Sequence, residues 1–565
     1  MEFLRKVDRI CKVEQEAGWK GPGHERFSNK DLDPVPREKR TWGLLSTVSY
    51  WCSDQFSPSS WSLGASLIAM GLTAREAIPI TFFGFFLCGI IIAINAQIGA
   101  STHCSFPVLI RASMGMWGSY PAILVRCILS LLWLAIQTYL AGSMTAQLIG
   151  AIWPSYLRLP NHFPEDLGIT SAQFGGFMLY WAVQSPLAMI PVHKIRILFN
   201  IKAIICPIGY SAICFWALAI TKGHAPSLDG PINTSLAPKG DKGLAIVLAL
   251  NSIAGLYSTL QVNIPDFTRF SSAKQSMFWQ ALVVPVTGTW PVACGIISTA
   301  AASKLYGVEA WDAATLVGLW GQDSVGRAAR FFVAAMFLLS ALGVNISGQS
   351  PDPADSVPFE EVADVPFAAN SISFATDMTA VLPRYLTIFR ATILSSILCL
   401  AINPWKVVNG SESFYNFLQS YSVLLGPIAC ILFTDFYLVR KGRVDVRELY
   451  NPDGPFAYTY GVNWRAYAAW IGSVAPNLPG LIRAINPDAM EENAATLYIY
   501  AFGWAVGCVL AVVLYYVICL VFPPHASFNQ EKVYEIDEIE ETGAASSSDA
   551  DLEKKDSTSA QIVAV

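Results

Sequence analysis

The chain has 565 residues, 53% of them hydrophobic, 12% aromatic and only 14% charged, a balance outside that of soluble domains that describes a polytopic membrane protein. The formal net charge of -5 is dominated by an acidic tail between Glu531 and Lys555, so nucleic acid is not an expected partner. The 12 cysteines are scattered without a CxxC pair or a Cys/His grouping, so neither a disulfide framework nor a zinc site is indicated, and the six histidines form no pair at ligand or catalytic spacing, which leaves a membrane-embedded enzyme as a distant alternative.

In chain order, residues 1–41 read as a charged cytosolic segment, 42–521 as the membrane domain and 522–565 as an acidic, disordered cytosolic tail. The first apolar run, Trp42 to Leu72, is interrupted by the polar stretch Tyr50 to Trp61, which contains Asp54, Phe56, Pro58 and Ser59. Unpaired backbone groups are tolerated at membrane depth only where they line a wet cavity, so the break marks a binding site; the bland alternative is a proline kink that serves packing. Further runs near 77–99, 121–152, 173–192, 198–221, 243–262, 279–303, 329–347, 386–403, 413–438, 464–484 and 496–521 bring the count to about twelve helices. Lys and Arg gather in alternate loops, which places those loops and both termini in the cytosol.

Two of these runs carry chemistry. In the third, Trp133 and Gln137 stand four apart, hence on one helical face, where a flat ring and a side-chain amide suit a planar heterocycle with amide edges. In the sixth, Gly255 and Tyr257 precede Asn263-Ile264-Pro265-Asp266-Phe267-Thr268-Arg269, an exit into charge.

These motifs, with Asn29-Lys30-Asp31-Leu32-Asp33-Pro34-Val35-Pro36, Arg40-Thr41-Trp42, Asn370-Ser371-Ile372-Ser373, Asp377 and Leu382-Pro383-Arg384-Tyr385, recur in one order. The chain resembles the fungal Fur-type branch of the nucleobase:cation symporter-1 family, the uracil, allantoin and uridine permeases, over roughly residues 29 to 500. The resemblance implies an all-α fold with a five-plus-five inverted repeat, two extra helices and discontinuous helices 1 and 6. It also implies Trp133 stacking on the substrate, Gln137 and Asn370 hydrogen bonding to it, Tyr257 on the opposite ring face, Phe56 and Ser59 in the first break, and coupling or gating roles for Arg126 and Asp377. Asp266 and Arg269 join these as gating candidates.

The chain departs from the family pattern twice. Where sodium-coupled relatives place two hydroxyl residues in the eighth span, this chain has Gly343-Val344, and a hard cation needs several oxygen ligands. Proton coupling therefore fits better than sodium, with Asp54 or Asp377 as carrier; a structural role for either carboxylate is the competing reading. Second, residues 348–368 hold four prolines, five acids and no base, which no membrane helix can accommodate. The two readings are a short intron translated into the chain and a genuine loop interrupting the eighth helix, and the second puts the assignment of Asn370 at risk.

The expectation is a proton-coupled plasma-membrane symporter, surrounded by lipid, that imports a uracil- or allantoin-like compound, or uridine or uric acid, by alternating access and without a cofactor. A thiamine, cytosine-purine or other heterocycle permease of the same superfamily is the alternative. Lys554 and Lys555 in the tail offer acceptor sites to ubiquitin ligase machinery.

Overall fold

The structure, a computed structural model, describes residues 12–13, 24–190, 192–224, 242–272, 276–346, 369–489, 493–524 and 531–534. It is helical throughout, and among the described residues the only β pairings are isolated bridges. The first run folds as two helices, α1 (Leu44–Gln55) and α2 (Pro58–Ala69). They are followed by α3 (Ala74–Thr102), α4 (Phe106–Met114), α5 (Ser119–Ile152), α6 (Ser171–Leu187), α7 (Val192–Thr221) and α8 (Lys242–Asn263). Then come α9 (Gln280–Tyr306), α10 (Ala313–Gly318), α11 (Ser324–Asn345), α12 (Ala369–Val381), α13 (Ile388–Ala401) and α14 (Ser411–Phe433). The last are α15 (Trp464–Val474), α16 (Leu478–Ile485), α17 (Ala494–Ala501) and α18 (Gly503–Val521).

Among the described residues, 8 helices are long and apolar enough to cross a membrane, α3, α5, α7, α8, α9, α11, α14 and α18. The other expected spans are shorter or broken: the first is split, α6 has 17 residues, α13 has 14, and α15 and α16 are separated by a 3-10 turn at Ala475–Asn477.

The break between α1 and α2 has a local cause. Ser57 adopts an extended backbone (φ -135°, ψ 155°), its Oγ accepts from the Ser60 amide, and Pro58 occupies the first helical position, where no N–H is needed. Helix α8 differs: it runs unbroken through Gly255 and Tyr257, and its interruption comes at Ile264, ahead of the single turn Pro265–Thr268. The eighth span stops at Asn345 and helix resumes at Ala369, with both pieces packed against α5. The expected insertion 348–368 lies outside the described residues.

Small residues let these helices approach closely, as membrane bundles require. A Cβ on Gly295 would sit 2.5 Å from the Trp61 carbonyl oxygen, and one on Gly142 would sit 2.5 Å from Phe177 Cα, so α9 lies against α2 and α6 against α5 with no room for a side chain.

The N-terminal segment is woven into one end of the bundle. Asn29 Nδ2 donates to the carbonyls of Pro383 (2.7 Å) and Leu386 (2.9 Å), the Tyr450 hydroxyl donates to Leu32 O (2.8 Å), and the Val35 amide donates to His103 O (3.0 Å). The tail expectation needs correction at one place. Residues 531–534 are docked, with Val446 N donating to Val533 O (3.0 Å) and Val533 N to Val444 O (3.2 Å). Val533 and Tyr534 are apolar exceptions in an acidic segment, and Tyr534 stacks near Phe436 at 6.1 Å. Residues 535–565, with Lys554 and Lys555, lie outside the described residues.

Candidate functional site

The break in the first span, the face of α5, the middle of α8 and the ends of α11 and α12 enclose a cavity with about 460 Å3 of empty space. The part open to a water-sized molecule is only about 40 Å3, well below the roughly 300–1,000 Å3 common for small-molecule sites, so a heterocycle enters only if the surrounding helices move apart. Asp54 and Ser59 border it from the break, Trp133 and Gln137 from α5, Tyr257 from α8 and Asn370 from α12. Six residues chosen from separate stretches of sequence therefore meet around one space.

Gln137 is 2% exposed and half-satisfied. Its Nε2 donates to Ser59 Oγ at 2.8 Å, and Ser59 Oγ in turn lies 3.0 Å from Ser57 Oγ, so the amide is oriented by the break itself. Its Oε1 is buried with no partner. A buried acceptor left unpaired costs about 1–3 kcal/mol, and a ligand N–H would recover it.

Trp133 is fixed by its own donor. Nε1 donates to the Tyr421 hydroxyl (3.2 Å), which donates to Gly255 O (2.5 Å). Phe414, Phe417 and Tyr421 meet the indole at 90°, 64° and 87°, and no ring among the described residues stacks parallel on it. Tyr257 is held by Trp51 and Phe85 at 6.0 and 5.1 Å, both edge-on. Asn370 Nδ2 donates to Asn345 Oδ1 (2.9 Å), and Asn345 Nδ2 donates to Gln184 Oε1 (2.8 Å) and Thr138 Oγ1 (3.2 Å). The two halves of the eighth span are thus joined by an amide pair and anchored to α5 and α6. Phe56 does not line the cavity: its ring packs on Tyr210 at 5.4 Å, and its carbonyl accepts from Ser340 Oγ at 2.5 Å.

A second cluster lies seven residues, about 10 Å, along α5 from Trp133. Arg126 Nη1 is 2.8 Å from Asp266 Oδ2, and Arg126 Nη2 bonds Asp377 Oδ1, with all three side chains fully buried. Asp266 Oδ1 also accepts the Phe106 amide at 2.8 Å, whereas Asp377 Oδ2 has no partner. Two carboxylates share one guanidinium, tying α5, α12 and the turn after α8 together. Arg269 stands apart from this cluster. Its Nη1 donates to Asp31 O (2.9 Å) in the N-terminal segment, and its carbonyl accepts from His103 Nδ1 (2.9 Å).

The residue that sequence reading passed over is Lys202 on α7. It is 1% exposed, and its Nζ donates to the Ser53 carbonyl at the end of α1. A Cβ on Gly343 would lie 2.5 Å from that Nζ, so the glycine in the eighth span is the space the ammonium fills. Asp54, the next residue after Ser53, is within its electrostatic reach. The signal was available: a lone lysine in the apolar run Phe199 to Pro207 is a functional hypothesis by default.

Comparison with known proteins shows the family and the fold. The family model described as permease for cytosine/purines, uracil, thiamine, allantoin matches residues 34–353 and 362–507, and its gap falls inside the insertion 348–368. The allantoin permease of Saccharomyces cerevisiae is 31% identical over 519 residues, covering 89% of this chain and 78% of its own. The uracil permease of the same yeast is 29% identical over 506 residues, covering 88% and 76%. Among solved structures, Mhp1, a nucleobase-cation-symport-1 family transporter in a closed conformation with bromovinylhydantoin bound, superposes with a TM-score of 0.62 at 19% identity, covering 88% of this chain and 97% of that one. At that identity the likeness is one of fold.

Proposed function

Because the chain belongs to the family of permeases for cytosine/purines, uracil, thiamine and allantoin, it is a multi-pass membrane transporter of heterocycles, and we propose that it imports a uracil- or allantoin-like compound with protons across the plasma membrane. The observation that carries the substrate reading is the unpaired Gln137 Oε1 in the cavity wall beside Trp133. An imide or ureide N–H meets that acceptor while the flat ring or ureide plane lies on the indole, with Asn370 and Tyr257 closing the remaining sides. Uridine and uric acid present the same N–H and C=O edges and are the next candidates.

For coupling, the support is Lys202. Its amino group sits between the Ser53 carbonyl and Gly343, so a lysine side chain takes the ground between the first and eighth spans and no hydroxyl pair is present to hold sodium. In this reading Asp54, on the cavity wall one residue from Ser53, takes up and releases the proton, and its charge governs how tightly α1 is held to α7. Arg126 with Asp266 and Asp377 forms the closure on the side of the N-terminal segment, and alternating access requires that cluster to part. Both termini lie in the cytosol in this scheme, as the basic loops indicate.

The experiment is uptake of radiolabelled uracil, allantoin, uridine and uric acid in a permease-null host, with wild type and Gln137→Ala compared at equal surface level. Saturable uptake of one of these compounds that Gln137→Ala weakens supports the reading. Absence of uptake of all four would move the substrate to another heterocycle of the family.

A further inference from the structure

Beyond the transport site, the π-helical turn Thr434–Val439 that continues α14 and the end of α18 form a groove that the transport reading leaves unused. Its volume is about 450 Å3, with Leu438, Val439, Tyr516 and Leu520 on its apolar walls and Lys441 and Arg443 at its rim. The apolar part faces outward: Leu438 is 44% exposed, Tyr516 37% and Leu520 62%. Lys441 and Arg443 are exposed, and neither has a carboxylate partner among the described residues.

The charges in the wall behind them are paired with each other. Arg440 Nε meets Asp435 Oδ2 at 2.6 Å and its Nη2 donates to Ala112 O at 3.0 Å, while the Tyr515 hydroxyl donates to Asp435 Oδ1 at 2.7 Å and locks α18 to α14. Arg440 thus spends its charge inside the fold, and Lys441 and Arg443 do not. Lys441 also occupies a left-handed conformation (φ 55°) beside Gly442 (φ 74°), where glycine or asparagine is the cheaper residue. Lys532 of the docked tail lies over the Tyr534 ring at 5.0 Å and lines the adjoining hollow with Lys441, adding a third cation.

We propose that this groove binds one anionic phospholipid, its headgroup phosphate against Lys441 and Arg443 and an acyl chain along Leu438, Tyr516 and Leu520. Cations with no carboxylate partner among the described residues, at the mouth of an apolar groove at the end of two spanning helices, match the two parts of such a molecule, a negative head and an apolar tail. The inference rests on α14 and α18 crossing the membrane with these ends at its inner surface, and its test does not involve substrate.

The test is native mass spectrometry of the full chain in neutral detergent, titrated with palmitoyl-oleoyl phosphatidylserine or with the matching phosphatidylcholine. Each cation contributes about fivefold to the preference for an anionic lipid. The wild type should therefore retain one phosphatidylserine with an affinity at least about tenfold above phosphatidylcholine. Lys441→Gln with Arg443→Gln should bring the two lipids within about twofold, whereas the same charge loss at Lys39→Gln with Lys406→Gln, both exposed and outside the groove, should leave the preference intact. Lys441→Gln alone carries the test, at about a fivefold loss, should the double variant fold poorly. Glycerophosphoserine, the headgroup without chains, should not displace the lipid at equal concentration. Equal retention of the two lipids by wild type, a preference that survives in the groove variants, or displacement by glycerophosphoserine would each overturn the proposal.

Discussion

Replacing Gln137 with alanine isolates the contact on which the proposed substrate recognition depends. In the wild type, Nε2 is spent on Ser59 and Oε1 is free. Truncation removes both atoms, yet Ser59 keeps its 3.0 Å contact with Ser57, so the break between α1 and α2 retains an internal partner. In the proposed pose the loss therefore falls on the substrate, whose N–H is left unpaired in a buried site. That penalty is about 1–3 kcal/mol, or about 5- to 150-fold in apparent affinity. Ser59→Ala, which removes only the group orienting the amide, should cost less, about 0.5–1.5 kcal/mol. The assay is concentration-dependent uptake of labelled substrate, normalised to surface protein by a carboxy-terminal reporter. Wild-type affinity in Gln137→Ala at wild-type surface level would refute the reasoning and remove α5 from the recognition surface.

Trp133→Ala should weaken transport affinity by about 1–3 kcal/mol, the usual value of a base stacked on an aromatic ring, and Trp133→Phe by less; equal losses in the two variants would argue against stacking. Arg126→Gln leaves Asp266 and Asp377 buried without their cation, which should cost about 3–5 kcal/mol and deplete folded protein in fluorescence-detected size exclusion. Adding Asp377→Asn should restore part of it, and no restoration would show that charge is not the cause. Burial lowers His103 from its ordinary 6.5 to about 4, so the folded chain keeps it neutral while the unfolded chain takes up a proton. Its contribution is therefore complete above pH 6.5 and is lost as pH falls through about 4, a change of about 3 kcal/mol. Thermal unfolding of purified protein between pH 7.5 and 4.5 should show this loss, and His103→Asn, which tolerates the left-handed backbone (φ 55°) and still donates to Arg269 O, should flatten it; an unchanged slope would place the pH dependence elsewhere.

Much of the site was legible because the bilayer makes polarity conspicuous. Asp54 and Ser59 stand out in an apolar run, and the four-residue spacing of Trp133 and Gln137 fixes their common face whatever the helix packs against. The remainder depends on contacts between distant segments. Arg126, Asp266 and Asp377 were each recognisable as charged residues near the spans, but their union around one guanidinium needs three helices to converge. Phe56 falls in the break, yet the backbone there (φ -77°, ψ 81°) goes with a ring packed on Tyr210, which no spacing rule foretells. Gly343 read as a missing sodium ligand, and its positive meaning, room for Lys202, emerged only when α7 was placed beside α11. In the tail, Val533 and Tyr534 were hidden by the acidic composition around them, and a two-bond bridge to Val444 and Val446 is too short for composition to register.

Coupling is measured most directly by initial-rate uptake of the transported heterocycle in permease-null cells, with external sodium replaced by choline and external pH stepped upward. With Lys202 filling the space between Ser53 and Gly343, uptake should be indifferent to sodium, fall as pH rises and collapse with a protonophore. Asp54→Asn should flatten the pH dependence while still permitting exchange of substrate across the membrane. Uptake that sodium stimulates and pH leaves unchanged would contradict the account.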